Sequence, residues 1–239
     1  MPGEKARPPK KGDLYVVATP IGNLEDITLR ALRILREVSL IVCEDTRQTV
    51  KILNKYGIKK KLMSYFHPKE KQRVPKIIGV LLGGNDVALV SDSGTPGISD
   101  PGYPLIKEAL AQKIRIIPIP GPSALTAALS AAGLSTHKFL FLSFPSPKKE
   151  ACRKLLDSLK NETATLIFYL PARKATTFLR IIYETLGNRR FVLARELTKK
   201  HEEFIRGKPL EWLSGADRTS LKGELTLLVE GFSKRHRRT

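Results

Sequence analysis

Residues 87–102 read Val87-Ala88-Leu89-Val90-Ser91-Asp92-Ser93-Gly94-Thr95-Pro96-Gly97-Ile98-Ser99-Asp100-Pro101-Gly102. An apolar, β-branched run enters this stretch, and a loop dense in Gly, Pro, Ser and Asp leaves it. Leu105, Ile106, Ala109 and Leu110 then recur at helical spacing. The pattern predicts a helix with Asp100 as N-cap and Pro101 as first residue, where its missing N–H would be unpaired anyway. The whole therefore reads strand, tight loop, helix. In an open α/β sheet, ligands bind where such loops leave the carboxyl ends of the strands. Gly94 and Gly97 let backbone come close to a ligand, and Asp92 offers a charged acceptor. The competing reading is a purely structural turn.

The same rhythm extends to either side. Apolar runs at 14–18, 40–43, 62–65 and 115–119 predict further strands, and residues 28–38, 46–56 and 72–82 predict helices between them. The run at 40–43 is continuous in apolar residues, as a strand buried on both faces requires. Pro120-Gly121-Pro122-Ser123 opens an Ala-rich helix with Ser123 as N-cap and Gly133 as stop. Five β–α alternations argue a parallel, doubly wound sheet of five strands. The loops after the first, second, fourth and fifth strands carry the Gly, Pro, Asp and Glu residues, so the special chemistry lies on one sheet edge. The second half changes rhythm. Strands are expected at 139–142, 165–169, 191–194, 203–206 and 225–230, and helices at 148–159, 176–186 and 209–213. The expected organisation is two α/β domains, 12–121 with the parallel sheet and 122–232 with a mixed sheet. Basic tails at 1–11 and 233–239 flank them.

Of the 239 residues, 41% are hydrophobic, and the net charge is +19. Seven of those charges lie in the tails, leaving +12 on the body. A body this basic repels itself unless it meets a polyanion, and nucleic acid is the natural partner. No apolar run approaches the roughly 20 residues of a membrane span, and the basic, Pro-rich start leads into no signal-peptide core. A cytoplasmic protein without membrane attachment is expected. Cys43 and Cys152 have no partner at metal or redox spacing. His67, His137, His201 and His236 share no helix face, so no metal is expected. The P-loop, the dinucleotide-binding glycine fingerprint and the Gly-x-Ser-x-Gly elbow are all missing. From the residues alone, this is a basic two-domain α/β protein with a small-ligand crevice and an RNA-suited charge.

Longer motifs add a resemblance. Leu14-Tyr15-Val16-Val17-Ala18-Thr19-Pro20-Ile21-Gly22-Asn23-Leu24-Glu25-Asp26-Ile27-Thr28 resembles the opening signature of the ribosomal RNA small subunit methyltransferase I family of the tetrapyrrole-methylase superfamily. Glu44-Asp45-Thr46-Arg47, residues 91–102, Pro120-Gly121-Pro122-Ser123-Ala124 and Arg195-Glu196-Leu197-Thr198-Lys199 match it in order. Lys222-Gly223-Glu224 and Val229-Glu230-Gly231 complete the set. The resemblance implies a tetrapyrrole-methylase-like fold, usually a homodimer, with S-adenosylmethionine in the cleft between two α/β domains. It implies methyl transfer to the ribose 2′-oxygen of a cytidine in small-subunit (16S) rRNA, free or in the assembled subunit. By resemblance, Pro20, Ile21, Asp92, Gly94, Thr95, Ile98, Ser123 and Ala124 line the cofactor. From the second domain, Tyr169, Leu170, Ala194, Glu196, Leu197, Leu225 and Thr226 do so.

A sulfonium is already an activated methyl donor, so the protein mainly aligns it with the ribose oxygen. That oxygen must also lose its proton to a base within hydrogen-bond reach. Glu44 and Asp45 end a strand at the crevice and are candidates, against helix capping as the alternative. Lys199 could serve only with a depressed pKa, or could hold a phosphate. Arg47, Lys148, Lys149, Arg153, Arg173 and Lys174 are the candidate RNA contacts. Trp212 is expected to pack on a helix, with base stacking as the alternative. Phe66-His67-Pro68-Lys69-Glu70 and Leu170-Pro171-Ala172-Arg173-Lys174 depart from the family pattern where substrate recognition would lie. Two other functions stay open: methylation of a tetrapyrrole or other small molecule, and a non-catalytic RNA-binding or ribosome-assembly role.

Overall fold

The computed structural model describes residues 10–215 and 221–233, so nearly all of the tails at 1–11 and 233–239 lies outside the described residues. The chain forms two compact units, one ending at Ser123 and one beginning at Ala124.

The first unit is built on five parallel strands: β1 (Leu14–Val17), β2 (Leu40–Cys43), β3 (Leu62–Ser64), β4 (Val87–Val90) and β5 (Ile116–Ile119), in the order β3-β2-β4-β1-β5. The connections are α1 (Leu29–Glu37), α2 (Thr46–Lys55), α3 (Glu70–Leu82) and α4 (Tyr103–Ala111). Period-two alternation sorts the strand residues between two cores. Ile41, Cys43, Ala88 and Val90 pack with Ala31, Leu35, Ile52 and Leu53 of α1 and α2. Leu40, Val42, Val87 and Leu89 pack with Ile77, Leu81, Leu105 and Ala109 of α3 and α4. Continuous apolar strands therefore serve both faces, and the sheet is doubly wound as expected.

Local chemistry sets the helix starts. Thr28 Oγ1 accepts the Ala31 N–H at 3.0 Å, and Asp45 Oδ1 accepts the Arg47 N–H at 2.8 Å, two side-chain caps. The fourth helix departs from expectation. It begins at Tyr103, with Gly102 rather than Asp100 at the N-cap, so Pro101 precedes the helix. The cause is tertiary. The Asp100 carboxyl is drawn back to Ser91 across its own loop, and Glu70 Oε1 instead accepts the Gly102 N–H at 3.0 Å. The third helix starts at Glu70, two residues early, after a 3-10 turn over His67–Lys69.

The second unit opens with α5 (Ala124–Ala132). It continues through β6 (Phe139–Phe141), α6 (Lys149–Ser158), β7 (Thr165–Pro171), α7 (Ala175–Leu186), β8 (Phe191–Arg195), β9 (Glu203–Gly207), α8 (Pro209–Ser214) and β10 (Glu224–Val229). Its sheet runs β6-β7-β10-β8-β9. β6 and β7 are parallel and the other neighbours antiparallel, so the sheet is mixed. Leu166, Phe168, Leu170, Leu193, Leu225 and Leu227 face one core with α6, α7 and α8. The helix after the Pro120–Ser123 loop belongs to this second unit, where Arg206 Nη2 on β9 donates to Ala131 O at 2.7 Å. Trp212 is buried and its Nε1 donates to Thr176 Oγ1 at 3.1 Å, so it packs on α7 and is not open to a base.

Candidate functional site

In the first unit, β4 lies between β2 and β1. The loops after β1 and β2 lead to α1 and α2 on one face, and the loop after β4 leads to α4 on the other. The chain thus diverges above the carboxyl end of β4, the switch point at which open α/β sheets bind ligands.

The loops there are tied together. Thr19 and Gly94 exchange both backbone hydrogen bonds, at 2.8 and 3.0 Å. The buried Thr19 hydroxyl also donates to Ser91 O at 3.0 Å. Gly94 holds φ +82°, in the left-handed region that favours glycine. Its N–H is spent on Thr19, so Gly94 shapes the loop and offers no backbone donor to a ligand. Asp92 Oδ1 accepts the Asp45 N–H at 2.9 Å, joining the β2 and β4 loops. Pro20 and Ile21 are buried, Thr95 is half-buried and Ile98 is half-exposed at the loop tip. Thr19, whose side chain and backbone hold the two loops, was not among the expected site residues.

This edge is acidic. Burial pushes the Glu44 and Asp92 carboxyls up from the ordinary carboxylate range, and each is raised further by neighbouring carboxylates. Asp100 is moved furthest. Burial first, then the Glu44 charge, push it up to about 7, against the opposing hydrogen bond from Ser91. Its Asp-Pro sequence reads as a capping signal, which concealed it as a functional candidate. Such a group is half-ionised at neutral pH, where a proton acceptor is most effective.

The two expected catalytic residues fare differently from expectation. Asp45 caps α2 and is gripped by Arg47, whose Nη2 lies 2.6 Å from Oδ2. The Arg47 hydrogen bonds hold its carboxyl below the usual range, making it a poor base. Arg47 in turn is occupied by Asp45. Burial depresses the Lys199 ammonium, but the hydrogen bonds it donates to Glu196 Oε1 at 3.0 Å and Glu224 Oε2 at 3.1 Å outweigh this and hold it above the ordinary range. Lys199 therefore remains charged and cannot act as the base. Glu196 also accepts the Glu224 N–H at 3.0 Å and thus clasps the entry to β10. Glu196 and Thr198 both hold positive φ, at 50° and 64°, local strain of the kind found at functional turns.

The expected cofactor contacts of the second unit divide by sheet face. Thr226 pairs with Tyr169 on one side and Ala194 on the other, so these three form one row across the sheet. The Tyr169 hydroxyl accepts the Leu125 N–H at 3.2 Å, and its ring meets Phe141 and Phe144 edge-on. Leu170 and Leu225 lie on the opposite face, buried in the main core, so their side chains do not line a site. Leu197 is buried, while Ser123 and Ala124 are half-buried at the junction of the units.

Among the expected RNA contacts, Arg153 is engaged. It pairs with Glu184 of α7, and its Nε is buried. Lys148, Lys149, Arg173 and Lys174 are exposed and form no ion pair among the described residues. Among the described residues no group of three or more His, Cys, Asp or Glu side chains could hold a metal ion, and no helix is long and apolar enough to cross a membrane.

Residues 13–211 match the family model of the tetrapyrrole (corrin/porphyrin) methylases. The chain is 46% identical over 220 residues to the ribosomal RNA small subunit methyltransferase I of Thermotoga maritima, covering 92% of this chain and 99% of that one. It is 42% identical over 220 residues to the protein of the same name from Bacillus subtilis, covering 92% and 75%. In structure it resembles the methyltransferase CobJ, with a TM-score of 0.70, 22% identity and coverage of 92% and 94%. That likeness extends to the fold.

Proposed function

From its membership of the tetrapyrrole methylase family and, within it, of the ribosomal RNA small subunit methyltransferase I family, to which this chain belongs, we propose that it moves the methyl group of S-adenosylmethionine to a ribose 2′-oxygen of a cytidine in small-subunit rRNA. The observation that carries this is the similarity to the Thermotoga enzyme over almost the full length of both chains. A methyltransferase of a tetrapyrrole or other small molecule fits less well, because the relatives near 45% identity bear the rRNA name while CobJ shares 22%. A homodimer in the cytoplasm remains part of the proposal.

The acidic edge suits the donor. S-adenosylmethionine supplies a methyl group on a cationic sulfonium, and a cluster of partly desolvated carboxylates stabilises a cation placed beside it. Pro20, Ile21, Thr95 and Ile98 then shape the loops, while Asp92 holds the β2 and β4 loops together and adds charge. In the second unit the row of Tyr169, Thr226 and Ala194, with Glu196 and Leu197, is the surface the family resemblance assigns to the cofactor. Asp100 takes the proton of the ribose hydroxyl as that oxygen attacks the methyl carbon. S-adenosylmethionine, when bound, would supply the methyl group to that oxygen, and transfer would leave a neutral thioether that the acidic edge favours less. Product release is eased by the same charge that assisted binding.

Calorimetric titration with S-adenosylmethionine, followed by methylation of small subunits and mapping of the alkali-resistant nucleotide, tests this reading. Micromolar binding that Thr95→Ala together with Ile98→Ala weakens, and ribose methylation at a cytidine, are expected. A folded protein that neither binds the cofactor nor modifies rRNA would overturn it. Lys148, Lys149, Arg173 and Lys174 are proposed phosphate contacts. Arg153 is a structural ion pair, so Arg153→Gln should lower stability by about 1 kcal/mol. Its log affinity against log salt should keep the slope of the parent. A shallower slope would show that Arg153 reaches RNA after all.

A further inference from the structure

The first unit is electrically lopsided. Its carboxyl edge carries Glu44, Asp45, Asp92 and Asp100. The opposite edge, where α1 and α2 end and β3 begins, carries Arg36, Lys55, Lys59, Lys60 and Lys61. Two contacts gather this corner. Arg36 Nη2 donates to Tyr56 O at 3.3 Å, joining the ends of the two helices. The Ile41 N–H donates to Lys61 O at 3.0 Å, joining the entries of β2 and β3.

Lys55, Lys59 and Lys61 are exposed and Lys60 is half-buried. None of the four forms an ion pair among the described residues. Of the acids on the same edge, Glu37 and Asp13 are spent on other cations, while Asp86 forms no ion pair among the described residues. Glu37 pairs with Arg33 at 2.8 Å, Asp86 accepts the Asp13 N–H at 2.7 Å, and Asp13 pairs with Arg115. A fold that holds Arg36, Lys55, Lys59, Lys60 and Lys61 together against the single unpaired Asp86 sustains a repulsion that a polyanion would relieve. The aromatic residue here, Tyr56, is half-buried with its hydroxyl on Leu24 O at 2.7 Å. The corner therefore offers charge without an open stacking platform, the chemistry of phosphate contact and not of base reading.

We infer that this corner is a docking surface for the phosphate backbone of folded rRNA, on the sheet edge opposite the methyl-transfer loops. A four-residue strand separates the two edges by about 13 Å, so the corner holds RNA beyond the target nucleotide. The inference rests on the rRNA reading above and adds where the substrate is held. Its effect belongs in binding and register rather than in the chemical step.

The test compares Lys55→Gln/Lys59→Gln/Lys60→Gln/Lys61→Gln with Lys71→Gln/Lys76→Gln/Lys107→Gln, three exposed lysines on α3 and α4. Binding to a small-subunit rRNA transcript is measured between about 50 and 200 mM salt, beside S-adenosylmethionine binding and methylation. The quadruple variant should bind roughly tenfold or more weakly, with a log–log salt slope shallower by about 2 to 3. KM for RNA should rise while kcat and cofactor affinity stay unchanged. An unaltered slope, or an equal loss in the α3/α4 variant, would overturn the docking surface. A wild-type protein that neither binds nor methylates the RNA would instead overturn the functional reading, and the docking surface with it.

Discussion

Asp100→Asn is expected to cut methyl transfer by roughly 10²-fold or more, the usual worth of a positioned base, while S-adenosylmethionine still binds and the protein becomes more stable at pH 8. The two effects share one cause. Burial and the Glu44 charge raise the Asp100 carboxyl to about 7, whereas in the unfolded chain it sits near 4. Between those values the folded state holds the proton more tightly, so stability falls as pH rises from about 4 to about 7, then levels off. An amide carries no charge to bury. The variant should therefore match the parent near pH 4 and melt at a higher temperature above pH 7. In the wild type, kcat should climb with pH to a plateau above about 7, and Asp100→Asn should lack that limb. A variant that keeps both activity and limb would move the base to Glu44, which follows β2 on the same edge and is also raised by burial. Activity lost together with cofactor affinity would make Asp100 a binding group instead.

This pairing of lost activity with gained stability separates a base from a merely structural carboxylate. Replacement by Ala, which removes the acceptor for Ser91, lowers the melting temperature if that hydrogen bond is what Asp100 contributes. Asn retains an acceptor for that hydrogen bond, so the comparison isolates the charge.

The sequence around Asp100 masks its role. Asp-Pro ahead of helically spaced apolar residues is a strong local capping pattern, and nothing local shows that Ser91, nine residues earlier, turns the carboxyl away. Lys199 presents the same difficulty. Its protonation follows first from Glu196, three residues before it, and then from Glu224, 25 residues on, which meets it only once β10 has paired with β8. Leu170 and Leu225 turn into the core for a geometric reason: side chains alternate along a strand, so a segment read as a whole puts every second residue on the opposite face. Tyr169, Thr226 and Ala194 fall in one row because the register happens to align them. The first sheet, by contrast, was legible because its signals are local and repeated. The runs at β2 and β4 are apolar at every position, which a strand buried on both faces demands, and the Gly-, Pro- and acid-rich loops all follow strand ends. The tie between Thr19 and Ser91 lay hidden, since a threonine before a proline reads only as a turn.

The largest stability effect is expected at Gly231. A Cβ built there would lie 2.0 Å from Thr163 O and 2.7 Å from Ala164 O, both backbone atoms. The crowding arises because β10 leaves the sheet against the turn that feeds β7, where the Phe232 N–H donates to Glu162 O at 2.6 Å and Glu162 Oε1 accepts the Ala164 N–H at 2.8 Å. No rotamer change relieves a backbone clash, so either the turn or the strand end must move. Gly231→Ala should cost about 3 kcal/mol or more, at the upper end for overpacked sites. The melting temperature of the second unit should fall by roughly 10 °C. Gly133→Ala is the control. That glycine holds φ +72°, but a Cβ there meets nothing within 4 Å, so the change costs only the roughly 1–2 kcal/mol of a left-handed L-residue, and Gly133→Asn less. Thermal unfolding of the three variants separates crowding from backbone strain. If Gly231→Ala melts no lower than Gly133→Ala, the close approach of β10 to the 162–164 turn is wrong. If it melts far lower, the row of Tyr169, Thr226 and Ala194 depends on that approach, because β10 carries its middle member. Cofactor affinity should then fall with the fraction folded.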